Sequence, residues 1–94
     1  MAAEHIPAFF EALLGKPFLL TERDNLPLHL TAVRIARYST PEHPSFALHF
    51  RGPAQPELPQ QTYTMETVDA ARLDIFIVPV ARDADGMQYE AVFN

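Results

Sequence analysis

Strict alternation of apolar and polar side chains marks the stretch FALHFR, residues 46–51. Phe46, Leu48 and Phe50 occupy every second position, and successive side chains of a β-strand point to opposite faces. The pattern therefore predicts a strand with one buried face and one exposed face. The Gly-Pro pair at 52–53 predicts the end of this strand, because both residues interrupt regular structure.

The same period of two extends outward from this strand in both directions. Before it, residues 26–38 alternate as well, but the apolar phase slips by one residue near Thr31 and Ala32. A slip of one residue exchanges the two faces of a strand, which predicts a β-bulge or a bend. After it, the near-continuous apolar run 73–80 predicts a strand buried on both faces. Pro79 lacks an N–H group and predicts an edge or a bulge at that point.

Turn-forming residues separate the strands, and a short helix precedes them. Apolar residues at helical spacing predict a helix over 7–14, which Gly15 ends. No β-helix-β alternation is present, so the sheet is expected to be antiparallel. Residues 1–94 are therefore interpreted as one mainly β domain. We expect a small antiparallel β-barrel or sandwich of about six strands, with one short N-terminal helix over an open end. The remaining strands are expected at 18–23, 62–67 and 87–93.

Composition and charge exclude several classes of function. The 94 residues carry 12 acidic and 7 basic side chains, for a net charge of −5. Nucleic acids and anionic membranes bind clusters of Lys and Arg, so neither is an expected partner. The absence of cysteine excludes disulfides, thiolate nucleophiles and Cys-based zinc sites. No signal peptide and no apolar run of membrane-spanning length is visible, which favours a cytoplasmic location.

Motifs that carry chemistry are weak in this chain. Residues 83–86 place oxygen ligands before a glycine, as calcium loops do, but Ala81 and Val92 would then hold ligand positions and cannot ligate. A hairpin turn is the simpler interpretation. His29 and His49 could approach one another if their strands pair, but no zinc-ligand spacing supports a metal site. No nucleophile elbow or glycine-rich phosphate loop is present, so we expect no enzyme, no metal and no cofactor.

The most informative candidate surface lies on the loops that follow the 46–51 strand and precede the next one. Loops on a rigid sheet are where binding residues concentrate. Arg51 could pair with a carboxylate, and Gln60 and Tyr63 could form hydrogen bonds beside it. The structural alternative is a stiff connection in which Arg51 pairs with an acid such as Glu66 or Asp74. The candidate partner-binding residues are Arg51, Gly52, Pro53, Gln60 and Tyr63.

Four segments carry a resemblance: FALHFRGP at 46–53, LPQQTY at 58–63, IFIVPV at 75–80 and DADGMQYEAVFN at 83–94. They resemble the motifs of a small bacterial family of unknown function, whose members also have a short Phe/Leu segment and a glycine before the first strand. Members of that family lie beside proteins of phage tail-collar or microcystin-dependent-protein character. The resemblance implies a compact β domain and supplies no catalytic residues.

These observations predict a non-enzymatic protein-interaction domain, an assembly or accessory domain that serves a phage-tail-like or surface-displayed partner. The contact surface would comprise the candidate residues and any exposed strand edge, because unpaired N–H and C=O groups can bind a partner's strand. The alternative is a small-molecule-binding β-barrel with the helix as a lid over an apolar interior. The identity of the partner and the formation of a homo-oligomer stay open.

Overall fold

The computed structural model describes residues 6–94, which form one short helix, a 3-10 turn and six strands. The helix is α1 (Pro7–Glu11), the turn is Thr21–Arg23, and the strands are β1 (Pro17–Leu20), β2 (Leu26–Ile35), β3 (Phe46–Gly52), β4 (Gln61–Glu66), β5 (Arg72–Asp83) and β6 (Gly86–Phe93). The helix and β1 end earlier than predicted. The other strands match their predicted ranges to within a few residues.

All six strands lie in one antiparallel sheet that closes on itself. Their order around the ring is β1-β2-β3-β6-β5-β4, and β4 pairs back with β1. The prediction of a mainly β fold with six antiparallel strands and one short helix is confirmed. Because β3 and β4 are separated in the ring, the connection at 53–60 has to cross one of its open ends.

A β-bulge lies where the apolar phase of β2 slips. The ladder with β3 runs through Leu30 and resumes at Ala32, so Thr31 is the extra residue. The Thr31 hydroxyl donates a hydrogen bond to the carbonyl oxygen of His49, at 3.1 Å. Because of the bulge, Leu30 before it and Val33 after it both face the core. The predicted irregularity is thus confirmed.

The burial of β5 corrects the prediction that both of its faces are buried. Ile75 and Ile77 are buried, but Phe76 between them is 49% exposed. The physical reason is closure, because each strand of a closed sheet turns one face to the interior and the other to solvent. The register shifts between Pro79 and Ala81, which agrees with the bulge among the two alternatives, an edge or a bulge, predicted at the proline.

The helix α1 closes the end of the ring where β2 finishes and β3 begins, which we call the helix end. Its Phe10 is fully buried. The Phe10 ring lies against those of Phe18, Phe46 and Phe93, with centroid separations of 5.5 to 6.4 Å. Aromatic pairs at such distances add to the stability that burial alone provides. A helix too short to be stable alone is therefore held in place by its aromatic contacts.

Leu58 closes the opposite end, which we call the loop end. It lies in the 53–60 connection and is fully buried, whereas the residues on either side of it are exposed. Three prolines in this connection restrict its backbone, which lowers the entropy lost when the leucine is held inside. One apolar side chain thus serves at the loop end the purpose that α1 serves at the helix end.

The seam between β1 and β4 is the shortest ladder of the ring. It contains two residue pairs, Leu19 with Glu66 and Leu20 with Met65. Beyond it, both carboxylate oxygens of Glu22 accept the backbone N–H of Thr64, at 2.9 and 3.0 Å. These bonds lower the pKa of Glu22. A side chain thus replaces the strand partner that Thr64 lacks on the β1 side.

We expect Leu58→Ala to lower the free energy of unfolding by about 2–5 kcal/mol, because it removes a fully buried side chain and leaves a cavity. Leu14→Ala is the matched control. Leu14 is 44% exposed, and its truncation should cost about 1 kcal/mol or less. Urea denaturation of the three proteins measures both changes. Equal losses would show that Leu58 does not close the ring.

We expect Glu22→Gln to lower the melting temperature at neutral pH, because an amide oxygen is a weaker acceptor than a carboxylate. The pKa of Glu22 is lower in the folded chain than its ordinary value of 4.5. The contribution of Glu22 to the stability of the fold is therefore present above about pH 4.5. It is lost as the pH falls through the pKa that Glu22 has in the folded chain. Thermal melts across this range should show the two proteins converging in acid. A constant difference between them would contradict the assignment.

Candidate functional site

The predicted partner-binding residues do not form one surface. Gln60 is exposed but does not line the depression that Arg51 lines, and Tyr63 is fully buried. Since β3 and β4 are not neighbours in the ring, Arg51 and Tyr63 belong to different walls of it. The depression has a volume of about 310 Å³ at the loop end, and its lining consists of Pro27, His29, Arg51, Gly52, Pro53 and Asp85.

Arg51 is already paired within the chain. Its Nη1 lies 3.0 Å from Oδ1 of Asp83 and 3.5 Å from Oδ2 of Asp85. The alternative that Arg51 pairs with an acid of the chain holds, but the acids are not the examples given: Glu66 accepts from Arg72, and Asp74 accepts from Thr64. A partner's carboxylate would have to compete with two aspartates for this guanidinium. That competition weakens Arg51 as an anion-binding group.

The hairpin turn between β5 and β6 organises these charges. The backbone N–H of Asp85 and the side-chain amide of Gln88 both donate to the Asp83 carboxylate. Together with Arg51, they lower the pKa of Asp83. The turn predicted at 83–86 is confirmed, and the Asp83 carboxylate already accepts hydrogen bonds from the chain's own groups.

Two buried tyrosines hold the 53–60 connection from inside the ring. The hydroxyl of Tyr63 donates to the carbonyl oxygen of Pro59 at 2.8 Å, and the N–H of Leu58 donates to Oη of Tyr89 at 2.9 Å. Burial is the main cause that raises the pKa of Tyr89. Tyr63 is therefore a core residue, and its hydroxyl is occupied by the loop. The sequence signal for Leu58 was a lone leucine in a polar, proline-rich connection.

The two strand histidines do not meet. In the ladder between β2 and β3, His29 lies opposite Arg51 and His49 lies opposite Ala32. Nε2 of His49 is 3.4 Å from Oε2 of Glu90 on β6. Within residues 6–94, no group of three His, Asp or Glu side chains is placed to hold a metal ion.

The unpaired edge of β5 over 78–83 is poorly suited to docking. β5 pairs with β4 over 72–77 and with β6 over 78–83, so each half lacks a strand on one side. The second half carries Pro79, a bulge, and the charged side chains of Arg82 and Asp83. These are the features by which natural sheets avoid edge-to-edge pairing.

A surface that the sequence did not single out lies at the helix end. We define the end patch as Arg34, Ile35, Tyr38, Ala47 and Val92, which are among the residues that line a depression of about 170 Å³. Tyr38 is 73% exposed, Val92 62% and Ile35 55%. Adjacent apolar side chains with this exposure are typical of interaction sites. Two features of the sequence could have indicated this surface, namely the predicted outward position of Val92 and the phase slip of β2.

A groove of about 370 Å³ adjoins the end patch and shares Ile35 with it. The start of α1 forms one side of the groove and the connection between β2 and β3 forms the other. Its remaining lining residues are Ile6, Pro7, Ala8, Ser39, Thr40, Pro41 and Pro44. The end patch therefore continues into an apolar channel between two elements.

Comparison with known families gives one match. A family model for a domain of unknown function, DUF6916, matches residues 7–93, from the first residue of α1 to the last of β6. No curated protein and no solved structure matches the chain. The expected resemblance to a family of unknown function is confirmed at that level. In the described part of the chain, no helix has the length and apolarity needed to cross a membrane.

We expect Tyr89→Phe to lower the free energy of unfolding by about 1–3 kcal/mol, because the N–H of Leu58 is then buried without an acceptor. Tyr63→Phe is the matched control. Its loss should be smaller, because Pro59 is exposed and its carbonyl oxygen can accept from water. Urea denaturation measures both variants. A larger loss for Tyr63→Phe would contradict this ordering.

The same variant has a second readout at alkaline pH. The folded chain raises the pKa of Tyr89 above its ordinary value of 10.0. The neutral phenol therefore contributes fully to the free energy of unfolding below about pH 10. This contribution is lost as the pH rises through the folded value. The stability of the unmodified protein should therefore fall toward that of Tyr89→Phe above about pH 10, in melts followed by circular dichroism. Parallel curves would contradict the assignment.

Proposed function

The chain belongs to the DUF6916 family of domains of unknown function, and we propose that it is a non-enzymatic protein-interaction domain. In this proposal it acts as an assembly or accessory domain and binds a partner protein through its outer surface. The observation that carries the proposal is the group of exposed apolar side chains at the helix end, of which Tyr38 is the most exposed. Contiguous exposed apolar side chains often mark protein-interaction sites.

The filled interior supports binding at the surface over binding inside. Buried apolar side chains occupy the ring, and Phe10 and Leu58 close its two ends. We describe the closed sheet as a small barrel, because a single sheet whose first and last strands pair has no second sheet to form a sandwich. In a barrel of six strands, side chains of this size leave little volume for a ligand. This argues against the alternative of a small-molecule-binding barrel.

The pairing of charges at the loop end supports binding over catalysis. The Asp83 carboxylate and Arg51 bind each other, and Arg82 pairs with Glu57 at 2.9 Å. Catalytic acids and bases lie in clefts and have pKa values tuned toward the operating pH, whereas the pKa of Asp83 is lowered and its carboxylate is held by donors of the chain itself. The resemblance to a family found beside phage tail-collar-like proteins favours a structural protein of a tail-like or surface-displayed assembly as the partner.

The experiment that tests this function is affinity capture with the folded chain as bait, read out by quantitative mass spectrometry, together with native mass spectrometry of the purified chain. We expect one protein to be enriched at a stoichiometric level, and a native mass equal to that of the polypeptide. A co-purified small molecule with no enriched protein would overturn the proposal and favour the ligand-binding barrel. Arg51→Ala as a second bait tests the first predicted surface, and its capture should fall if that surface binds the partner.

A further inference from the structure

The cationic side chains of this acidic protein divide into two groups. Arg51, Arg72 and Arg82 form ion pairs. The guanidinium of Arg23 lies over the ring of Tyr63, 5.8 Å from its centroid. The second group consists of Lys16, Arg34 and Arg37. These side chains form no ion pair with a carboxylate of residues 6–94.

The second group lies at the helix end. Lys16 immediately precedes β1. Arg34 is the last residue but one of β2, and Arg37 lies two residues beyond the end of that strand. Arg34 also lines the depression of the end patch. Arg23 also forms no ion pair but lies over the ring of Tyr63, so within residues 6–94 the cations with neither kind of contact all lie at this end, although the chain as a whole carries a net charge of −5.

Among residues 6–94, the linings of the end patch and its adjoining groove contain one charged side chain, that of Arg34, and no aspartate or glutamate; Asn94 also lines the depression of the end patch. The depression at the loop end differs, because Asp85 lines it beside Arg51. A surface that joins exposed apolar groups to a guanidinium with no ion-pair partner in residues 6–94 is complementary to apolar groups flanked by carboxylates. Tyrosine and arginine are also the residue types that dominate binding energy at protein interfaces.

We propose that the end patch docks a segment of a partner protein that carries apolar side chains flanked by carboxylates. This inference rests on the proposed function and names the surface and the chemistry of its partner. The partner's apolar side chains pack against Tyr38, Ile35 and Val92 and continue into the groove beside α1. A carboxylate of the segment accepts hydrogen bonds from Arg34, which can bind it with two parallel N–H donors.

The test uses two synthetic peptides of equal length with identical apolar residues, one with glutamates and one with lysines between them. Binding to the full chain is followed by fluorescence anisotropy and by amide chemical shifts. We expect the acidic peptide to bind at least about tenfold more tightly, to shift amides of the end patch, and to weaken as salt rises. Equal affinities, or shifts confined to the loop end, would overturn the proposal.

Matched variants locate the binding residues. Arg34→Ala and Tyr38→Ala should each weaken the acidic peptide about tenfold, and Val92→Ala should weaken it measurably. Arg82→Ala and Val80→Ala are the controls, because they truncate an exposed arginine and an exposed valine away from the patch. They should bind like the unmodified chain. All five side chains are at least partly exposed, so a melting curve for each verifies that it folds. Controls that lose as much affinity as the patch variants would overturn the assignment.

Two further outcomes separate this inference from the function on which it rests. If the chain captures a partner and Arg34→Ala with Tyr38→Ala captures it equally, the surface assignment fails while the interaction function stands. If no partner is captured, the function itself fails. Vesicles of anionic phospholipid are the third probe, and binding to them without binding to the acidic peptide would show that the cations recognise phosphate and not a protein segment.

Discussion

Two residue pairs between β1 and β4, Leu19 with Glu66 and Leu20 with Met65, close the sheet. Strand pairing stabilises a sheet through many such pairs, so a ladder this short is a weak link by itself. The Glu22 carboxylate extends it by accepting the N–H of Thr64. Without closure, the inner faces of both strands would meet water, and the apolar core would lose its boundary.

Closure creates two open ends, and the chain covers them with different chemistry. At the helix end, Phe10 packs among other aromatic rings, and the contact is almost purely apolar. At the loop end, Leu58 is apolar but its backbone is held by the hydroxyl of Tyr89. Burying that hydroxyl raises the pKa of Tyr89. We therefore expect the contribution of the loop end to stability to fall at alkaline pH.

The same division governs the surface. Arg51 and Asp83 bind one another at the loop end, which leaves little charge there for a partner. Exposed apolar side chains and Arg34 meet at the helix end. Interfaces bury apolar groups and place complementary charges around them, and the end patch offers exposed apolar side chains and Arg34 within one depression. The proposed function follows from that combination and not from any catalytic group.

The sequence by itself determined the local structure. The bulge at Thr31, the bulge at Pro79 and the turn at 83–86 all followed from residues close together in the chain, because side-chain alternation and turn chemistry act over a few positions. The inward positions of Phe46, Leu48 and Phe50 followed for the same reason.

Only the tertiary structure decided which strands close the ring, and with that the partners of distant residues. Arg51 meets Asp83 across 32 positions and Leu58 meets Tyr89 across 31. One sequence is compatible with several strand orders, so Tyr63 could be assigned to a surface until its wall of the ring was known. Phe76 was predicted to be buried but is exposed. The period of a strand fixes which residues share a face, whereas the closure of the sheet fixes which face meets water.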